Sequence, residues 1–403
     1  MNKLNQSLLA LAVSATAGGI SANASADFLT EMLEGGKAYG DFRLRYEQVN
    51  QDNDLDDASA LTLRTKLGFK SGEVSGFSTV LEFEDSRPVL SIDDYTVGPT
   101  GFNVGEYSVI ADPKSTEVDQ AFVQYKTDLL VAKVGRQVIT LDGHRFVGHV
   151  GWRQDWQTFD AGTITISPTE DISLFAGYID HRNRIFADQA DVDSSDLLLN
   201  ASYKTPFGKL VGYYYDLEVE ATDAELDTLG ISFKGSSKLS DSLDILYAAE
   251  YATQESSGSG DTDFEADYLL LEGGIKVSGI SIKLGYEELG SDEGEYGFST
   301  PLATLHKFNG WADLFLGTPS EGLVDTYLSV GGKAGPGKFL VAYHQFTADE
   351  DTEGFDDLGS EWDAQYVAKF GKGYSAGVKF ALYSADDHAV DTDKYWFWIS
   401  KSF

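Results

Sequence analysis

Cysteine is absent from this chain of 403 residues, and proline and methionine are rare, with 8 and 2 copies. The lack of cysteine excludes disulfides, thiolate metal ligands and thiol nucleophiles. No apolar run after residue 26 approaches the ~18 residues that a transmembrane helix requires. Basic residues are also in short supply, because 30 Lys and Arg stand against 65 Asp and Glu, for a net charge of −35. Phosphate binding needs concentrated positive charge, so nucleic acid is excluded as a partner.

Aromatic residues and glycine are abundant by contrast. Phe, Trp and Tyr make up 13% of the chain, and there are 42 glycines. This composition is typical of many strands joined by tight turns, with aromatic girdles at the two interfaces of a bilayer. It favours an outer-membrane barrel over a periplasmic or secreted protein.

The first 26 residues have the features of a signal peptide. Lys3 supplies a positive start, Leu8–Val13 is a short apolar core, and Ala24–Ala26 is a small-residue cleavage site. A membrane anchor is the alternative, but the apolar core is too short to span a bilayer. We therefore predict cleavage near Ala26 and a single barrel domain over residues 27–403, located in the outer membrane of a Gram-negative cell.

Period-two alternation recurs along the whole mature chain, as in a wall with lipid on one face and water on the other. In the first predicted strand Phe42 and Leu44 alternate with Arg43 and Arg45. Two more strands follow in residues 61–70 and 77–84. Further candidates centre on Val123, Val131, Ile164, Leu174, Leu199, Tyr213, Ile231, Ile245, Leu271, Ile282, Leu328, Val341, Tyr366, Phe380 and Phe397. The pattern predicts an all-β, antiparallel, up-and-down transmembrane barrel of about eighteen strands.

The connections between these strands alternate in length. Short ones are predicted at residues 71–76, 127–128, 205–209, 235–242, 279 and 371–374. Long acidic ones are predicted at residues 85–116, 180–196, 254–267, 290–318 and 347–360. Short periplasmic turns with long outer loops are typical of this class of barrel, and a soluble β-sandwich is the alternative. We expect residues 85–116 and 290–318 to fold inward, because eighteen strands enclose an aqueous hole if nothing fills it.

The last nine residues, Tyr395–Phe403, end on an aromatic residue. They resemble the C-terminal strand signature through which outer-membrane barrels are handed to their assembly machinery. Lys401 departs from that signature, since it occupies the lipid-facing parity. Close to the membrane interface its ammonium group can reach water at small cost.

A polar, glycine-rich loop is predicted between two strands at Gly135–Ala161 (GRQVITLDGHRFVGHVGWRQDWQTFDA). Its pattern of GRQ, HRFVG, GWRQ and QTFDA resembles the alginate-export family of outer-membrane porins. Residues 298–319 (FSTPLATLHKFNGWADLFLGTP) resemble a second signature of that family. The resemblance implies a porin with an inward-facing arginine cluster.

Arginine is confined to one part of the chain, since all nine copies fall between residues 43 and 184. Guanidinium groups stay ionised and offer a planar fork to carboxylates, and such ladders bias a pore toward anions. Alternation leaves Arg136 on the lipid side unless a bulge at Gly135 turns it inward. The predicted pore-lining set is Arg43, Arg45, Arg64, Lys66, Arg136, Arg145, Arg153 and Arg182. The alternative is that these cations pair with wall acids such as Glu47 and Glu82 and stiffen the barrel.

Two further interpretations concern the loops and catalysis. Arg145 and Arg153, with nearby Trp152 and Trp156, suit either a sugar-acid site or a packed loop anchored to the wall. Asp180 and His181 lie in one of the predicted long loops. An adjacent Asp-His pair does not indicate catalysis, since neighbouring residues on a strand point to opposite faces. No catalytic residue, metal site or cofactor is predicted, and the protein is not expected to be an enzyme.

The sequence therefore predicts an outer-membrane channel for small, anionic or oligosaccharide solutes, with an arginine-lined lumen. A general, weakly selective porin is one alternative, and a true exporter of anionic polysaccharide such as alginate is another. A surface-structural or adhesive barrel is the alternative that does not conduct. Expected partners are outer-membrane lipid and lipopolysaccharide, and the barrel-assembly machinery through Phe403.

Overall fold

The computed structural model describes residues 22–98, 103–222, 224–257, 263–352 and 354–403. One helix, α1 (Ala22–Glu34), precedes the strands. The strands are β1 (Lys37–Gln51), β2 (Ala58–Lys70), β3 (Phe77–Asp94), β4 (Ser115–Lys126), β5 (Leu130–Gln137), β6 (Thr158–Ile166), β7 (Ile172–Asn183), β8 (Val192–Thr205), β9 (Gly208–Val219), β10 (Ala224–Ser240), β11 (Leu243–Ser257), β12 (Phe264–Val277), β13 (Ile280–Leu289), β14 (Ser291–Asp292), β15 (Tyr296–Gly297), β16 (Leu323–Ala334), β17 (Gly337–Thr352), β18 (Phe355–Phe370), β19 (Tyr374–Ser384) and β20 (Thr392–Ser402). Two 3-10 turns lie at Ala187–Gln189 and Leu305–Lys307.

Eighteen of the strands form one closed antiparallel sheet, in which each strand pairs with its neighbours in sequence. The first and last strands close the ring, with Leu44 opposite Ile399 and Tyr46 opposite Phe397. The remaining two strands, β14 and β15, make a small separate hairpin. The predicted barrel and its strand number are confirmed, and every predicted strand centre lies within a strand.

The side-chain alternation gives the wall two chemically different faces. Arg45 and Glu47 are 0% and 1% exposed, whereas Leu67 and Phe83 on the other face are 50% and 49% exposed. Since successive residues of a strand point to opposite faces, the charged set faces the interior and the apolar set faces outward. Among the described residues, no helix has the length and hydropathy needed to cross a bilayer.

The two ends of the barrel differ in the length of their connections. One end carries short turns, such as residues 206–207 and 278–279. The other end, here called the loop end, carries the long connections, although several are shorter than the sequence predicts. The predicted loop at residues 347–360 is wrong, because β17 continues to Thr352 and β18 starts at Phe355. Residues 254–257 and 264–267 of another predicted loop are likewise strand, since backbone pairing continues through the acidic positions.

Three long connections from the loop end fold into the barrel. The first inner loop (residues 95–98 and 103–114) buries Ile110 and Asp112, each 0% exposed. The second (138–157) and third (298–322) inner loops meet in a parallel bridge between Val147 and Leu302. Their apolar side chains form the main core together with the inner faces of the wall strands. The predicted inward folding is confirmed for residues 103–114 and 298–318, whereas residues 85–94 of the first predicted loop extend β3.

The N-terminal helix α1 sits at the turn end. The backbone N–H of Gly72, in the turn after β2, donates to the carbonyl of Met32 at 2.7 Å. The ring of Phe28 meets Phe77 edge to face, with centroids 6.4 Å apart. Most of the predicted signal peptide, residues 1–21, lies outside the described residues.

Candidate functional site: the inner loops and the cationic wall

The second inner loop is tied to β1 by Arg43. Its Nε donates to Oε1 of Gln154 at 2.8 Å, and its Nη2 donates to the carbonyl of Trp152 at 2.8 Å. Gln154 in turn donates from Nε2 to Oγ1 of Thr62 on β2 at 2.8 Å. These contacts join the loop to two adjacent strands.

Arg45, the next inward-facing residue of β1, contacts the first inner loop. Its guanidinium pairs with Asp112 and lies 3.1 Å from Oε2 of Glu47. The backbone N–H of Gln154 donates to Asp112 at 3.0 Å, so this carboxylate joins two loops. Burial alone would raise the pKa of Asp112, but Arg45 and Arg153 lower it below its ordinary value.

The second and third inner loops are joined by Arg153. Its Nη1 lies 3.0 Å from Oε1 of Glu47, and its Nη2 lies 2.6 Å from Oδ2 of Asp313. Asp313 also contacts Nδ1 of His306 at 2.6 Å and Nζ of Lys394 at 3.4 Å. Burial would raise the pKa of Asp313, but His306, Lys394 and Arg153 hold it well below its usual range. The Asp313 carboxylate therefore contacts three side chains that can donate hydrogen bonds.

His306 and Trp152 form the centre of this junction. Their rings stack with centroids 4.9 Å apart and an interplanar angle of 5°. Nζ of Lys379 on β19 donates to Nε2 of His306 at 2.6 Å and lies 4.3 Å from the Trp152 ring. Nδ1 of His306 faces Asp313 and Nε2 faces Lys379, so a neutral imidazole with its proton on Nδ1 fits both contacts. Burial and the charge of Lys379 lower the pKa of His306 accordingly.

Arg145 makes a second junction, at β13. Its Nε lies 2.6 Å from Oε1 of Glu287 on β13. Its other two nitrogens reach Oγ1 of Thr300 and Oδ1 of Asn309, both at 3.2 Å and both in the third inner loop. The same Glu287 accepts the hydroxyl of Tyr268 at 2.7 Å. Arg145 and Arg153 thus use their donors on protein groups, an arrangement that braces the loops.

Two further cations of the predicted set are paired on the inner wall. Lys66 on β2 lies 2.7 Å from Glu84 and 2.5 Å from Asp119. Arg182 on β7 forms a bidentate pair with Asp196, at 2.9 and 2.6 Å. A paired cation contributes little net field at a distance, since its charge is neutralised locally.

Arg136 departs from the expected inward orientation. Gly135 has a φ of +119°, yet the pairing register runs through it without a shift, and Arg136 lies opposite Asp160. Alternation therefore keeps Arg136 on the strand face of Val134, and its guanidinium forms a forked pair with Asp160 at 2.8 and 3.1 Å. The inward turn expected at Gly135 is not found.

Arg64 is the cation with donors to spare. It stands directly opposite Arg43 on β1 and Ser86 on β3, and its Nη2 pairs with Asp41. Within the part of the chain that the structure describes, Nε and Nη1 of Arg64 and Oγ of Ser86 have no hydrogen-bond partner. Both side chains are nearly inaccessible, at 5% and 0% exposed.

Trp156 of the second inner loop completes this donor-rich position. Its ring lies 5.4 Å from the Arg64 guanidinium carbon, and its indole N–H also has no partner among the described residues. A buried donor left unpaired costs about 1–3 kcal/mol, so several at one place point to a function. Arg64, Ser86 and Trp156, with the charge of Arg43, which forms no ion pair among the described residues, make up what we call the donor site.

The sequence indicated some of these residues and missed others. Strand parity identified Arg43, Arg45 and Arg64, and the loop pattern identified Arg153 and Trp156. Asp112, Asp313, His306, Lys379 and Ser86 were not foreseen, because nothing in the local sequence shows which distant side chain each one meets. Among the described residues, no group of three or more His, Asp or Glu side chains is arranged to hold a metal ion.

The sequence matches no protein-family model and no curated protein. The fold is similar to that of Acinetobacter baumannii OccAB4, with 15% identity over 91% of this chain and 98% of that one, and a TM-score of 0.73. It is also similar to Pseudomonas aeruginosa OccK9 (OpdG), with 15% identity over 92% and 99% of the two chains and a TM-score of 0.70. P. aeruginosa OccK2 (OpdF), solved in complex with glucuronate, gives 14% identity over 92% and 99%, and a TM-score of 0.68.

At this level of identity the comparisons show the fold, which is that of outer-membrane porins. They do not support the resemblance to the alginate-export family, because no family model matches and these similar structures are porins of another group.

Proposed function

We propose that this protein is an outer-membrane channel for small solutes that carry a carboxylate group. The closed wall presents apolar side chains outward and charged ones inward, as a barrel in lipid requires. Three inner loops narrow its interior, and the comparisons support the porin fold. The lumen is the path along which a solute crosses the membrane.

The observation that carries the solute class is the donor site. Two guanidinium donors of Arg64, the Ser86 hydroxyl and the Trp156 indole N–H are buried and unpaired together. A carboxylate has two acceptor oxygens and about four lone-pair sites, so it fits a fork of donors of this kind. Arg43 lies directly opposite Arg64 without a carboxylate of its own among the described residues, which adds attraction for an anion.

The porin OccK2 (OpdF) was solved with glucuronate, and this sugar acid has the carboxylate that our donor site would hold. Hydroxyl groups on the same solute would find further partners along the polar inner wall. We therefore choose D-glucuronate as the probe, with D-glucose as the neutral sugar of similar size.

Uptake into proteoliposomes tests the proposal. Barrels carrying the native sequence should admit labelled D-glucuronate several-fold faster than D-glucose. Arg64→Gln should lower that ratio toward one, whereas Arg87→Gln should leave it unchanged, because Arg87 is exposed and already pairs with Asp85. A ratio that Arg64→Gln does not alter would contradict the proposed solute class.

A general, weakly selective porin is the second candidate, and a specific observation favours it. Most inner cations are neutralised by carboxylates: Arg45 by Asp112, Lys66 by Glu84, and Arg182 by Asp196. The net field of the lumen would then be small, and uptake would follow solute size. Equal uptake of glucuronate and glucose by the native barrel would select this candidate.

We also propose that the C-terminal residue guides assembly of the barrel. Phe403 is 65% exposed, stacks on Phe42 with centroids 6.1 Å apart, and donates its backbone N–H to the carbonyl of Gly40 at 3.0 Å. It thus stands at the seam where the last strand meets the first. Nearby, the Nζ of Lys401 bends away from the lipid face to the carbonyl of Lys372 in a turn.

A further inference from the structure

An open cavity lies inside the barrel, below the second inner loop and toward the turn end. It has a volume of about 330 Å³ and is lined by residues 138–142 of that loop and by the inner faces of β5–β9. Its wall residues pair across neighbouring strands, Lys133 with Thr163 and Ser173 with Ser202. These pairs share one face of the sheet, the face on which Asn200 is 8% exposed.

The lining chemistry is that of a site for a polyhydroxylated solute. Hydroxyl groups of Thr165, Ser173 and Ser202 can each donate and accept a hydrogen bond. The ring of Phe175 adds one apolar surface against which a sugar face can pack. A cavity of this size is at the lower end of small-ligand pockets, about 300–1,000 Å³, and suits a single small molecule.

The charges of the cavity differ in how they are compensated. Lys209 donates to Oδ1 of Asp142 at 2.8 Å, and Asn200 donates to the other oxygen of that carboxylate. The ammonium group of Lys133 lies 5.0 Å from the Phe122 ring and forms no ion pair within the described ranges of the chain. The cavity therefore carries one cation in excess, at Lys133.

We propose that this cavity is a second solute-binding site, which takes one small polyhydroxylated molecule with a carboxylate that pairs with Lys133. The site lies on the turn-end side of the loop constriction, so it would hold a solute after the solute has passed the donor site from the loop end. The solute class is taken from the proposed function, but the site rests on its own cavity and its own cation.

Equilibrium dialysis of labelled D-glucuronate against the folded, detergent-solubilised full-length barrel tests the second site without relying on conduction. We expect two molecules bound per native barrel, one in Lys133→Gln, one in Arg64→Gln and none in the double variant. Lys338→Gln is the control, because it removes a lysine near the same end of the barrel on β17, which is not a wall of the cavity. Faster migration of unheated samples in detergent gels confirms that each variant is folded.

The outcomes separate this inference from the proposed function. Loss of one bound molecule in Lys133→Gln, with no effect of Arg64→Gln, would support the second site and contradict the donor site. A stoichiometry that Lys133→Gln leaves unchanged, or no binding at all at millimolar glucuronate, would overturn the second site. Labelled D-glucose should bind at least several-fold more weakly and should not respond to Lys133→Gln. An equal response of both sugars would contradict the role of the carboxylate.

Discussion

Arg153 and Asp313 are 160 residues apart in the chain, yet Nη2 of the arginine lies 2.6 Å from Oδ2 of the aspartate inside the barrel. Both side chains are almost fully buried, at 6% and 5% exposed. The pair joins two inner loops that have no backbone pairing with each other at this point. We infer that the diameter of the constriction depends on this contact.

Replacement of Asp313 by Asn should loosen the constriction. Arg153 would keep Glu47, but His306 and Lys394 would lose their anionic partner in a buried setting. Removing one partner of a buried ion pair costs about 3–5 kcal/mol. We expect a lower thermal unfolding temperature and a larger, noisier single-channel current.

Asp241→Asn is the matched control for that change, since Asp241 is fully exposed and pairs with Lys238 near the end of β10. It should alter neither quantity. A native-like current in folded Asp313→Asn would show that the loops are held by other contacts.

Arg145 binds three buried partners, and a lysine at this position cannot hold all of them. The guanidinium reaches Glu287, Thr300 and Asn309 with three different nitrogens, and an ammonium group on a single stem cannot occupy all three positions. We expect Arg145→Lys to destabilise the barrel by about 1–3 kcal/mol, the cost of leaving buried partners unpaired. The measurement is the unfolding midpoint in denaturant.

Arg87→Lys provides the comparison, because its pair with Asp85 is exposed to solvent. Surface ion pairs contribute about 0–1 kcal/mol, so this variant should unfold near the native midpoint. Equal effects of the two substitutions would mean that Arg145 contributes only its charge.

His149 makes stability sensitive to acid. Burial, together with His144, Lys66 and Arg64, lowers the pKa of His149 to about 4. The unfolded chain binds this proton near the ordinary pKa of about 6.5, so between pH 6.5 and 4 the unfolded state holds more protons. The free energy of unfolding should therefore fall as the pH drops through that window.

Thermal unfolding at pH 7, 5.5 and 4.5 measures this effect. His149→Gln cannot take up the proton, so its stability should decline less over the same range. Parallel curves for the native protein and the variant would refute the assignment to His149.

Much of the wall was predictable because side chains along a strand alternate between its two faces, so the polarity of one residue indicates that of the next. Phe42, Leu44 and Tyr46 alternate with charged residues, and alternation of this kind defines both the strand and its two faces. The strand ends were less predictable. Acidic residues such as Asp349 and Glu350 were predicted to lie in a loop. They belong instead to the part of β17 that extends beyond the apolar band of the wall, where residues on either face can be charged.

The contacts inside the barrel were predictable only in part. The sequence of a loop shows which of its residues are polar but not which distant residues they contact. The sequence around Arg145 and Arg153 indicated fixed guanidinium groups. It could not indicate Glu287 or Asp313, which approach from strands and loops more than a hundred residues away. The sequence did not predict α1 either, in which Asp27–Glu34 is helical at the expected start of the mature chain.

Removal of Phe403 should slow assembly and spare the assembled barrel. The stack on Phe42 lies at the turn end of the seam, and backbone pairing of β20 with β1 continues over eleven positions without it. We expect less folded protein in the outer membrane, with a normal unfolding temperature for the fraction that folds. Deletion of a residue from an exposed loop end, such as Asp386, should not lower the yield.

We infer that Arg64 attracts anions into the lumen, and the reversal potential across a salt gradient tests this role. At about 0.01 M salt the screening length is about 30 Å, so the loss of one of the two facing charges of Arg43 and Arg64 should be visible. We expect Arg64→Gln to shift the reversal potential toward cation preference, and Arg87→Gln to have the reversal potential of the native channel. An unchanged reversal potential in a folded, conducting Arg64→Gln barrel would contradict the claim.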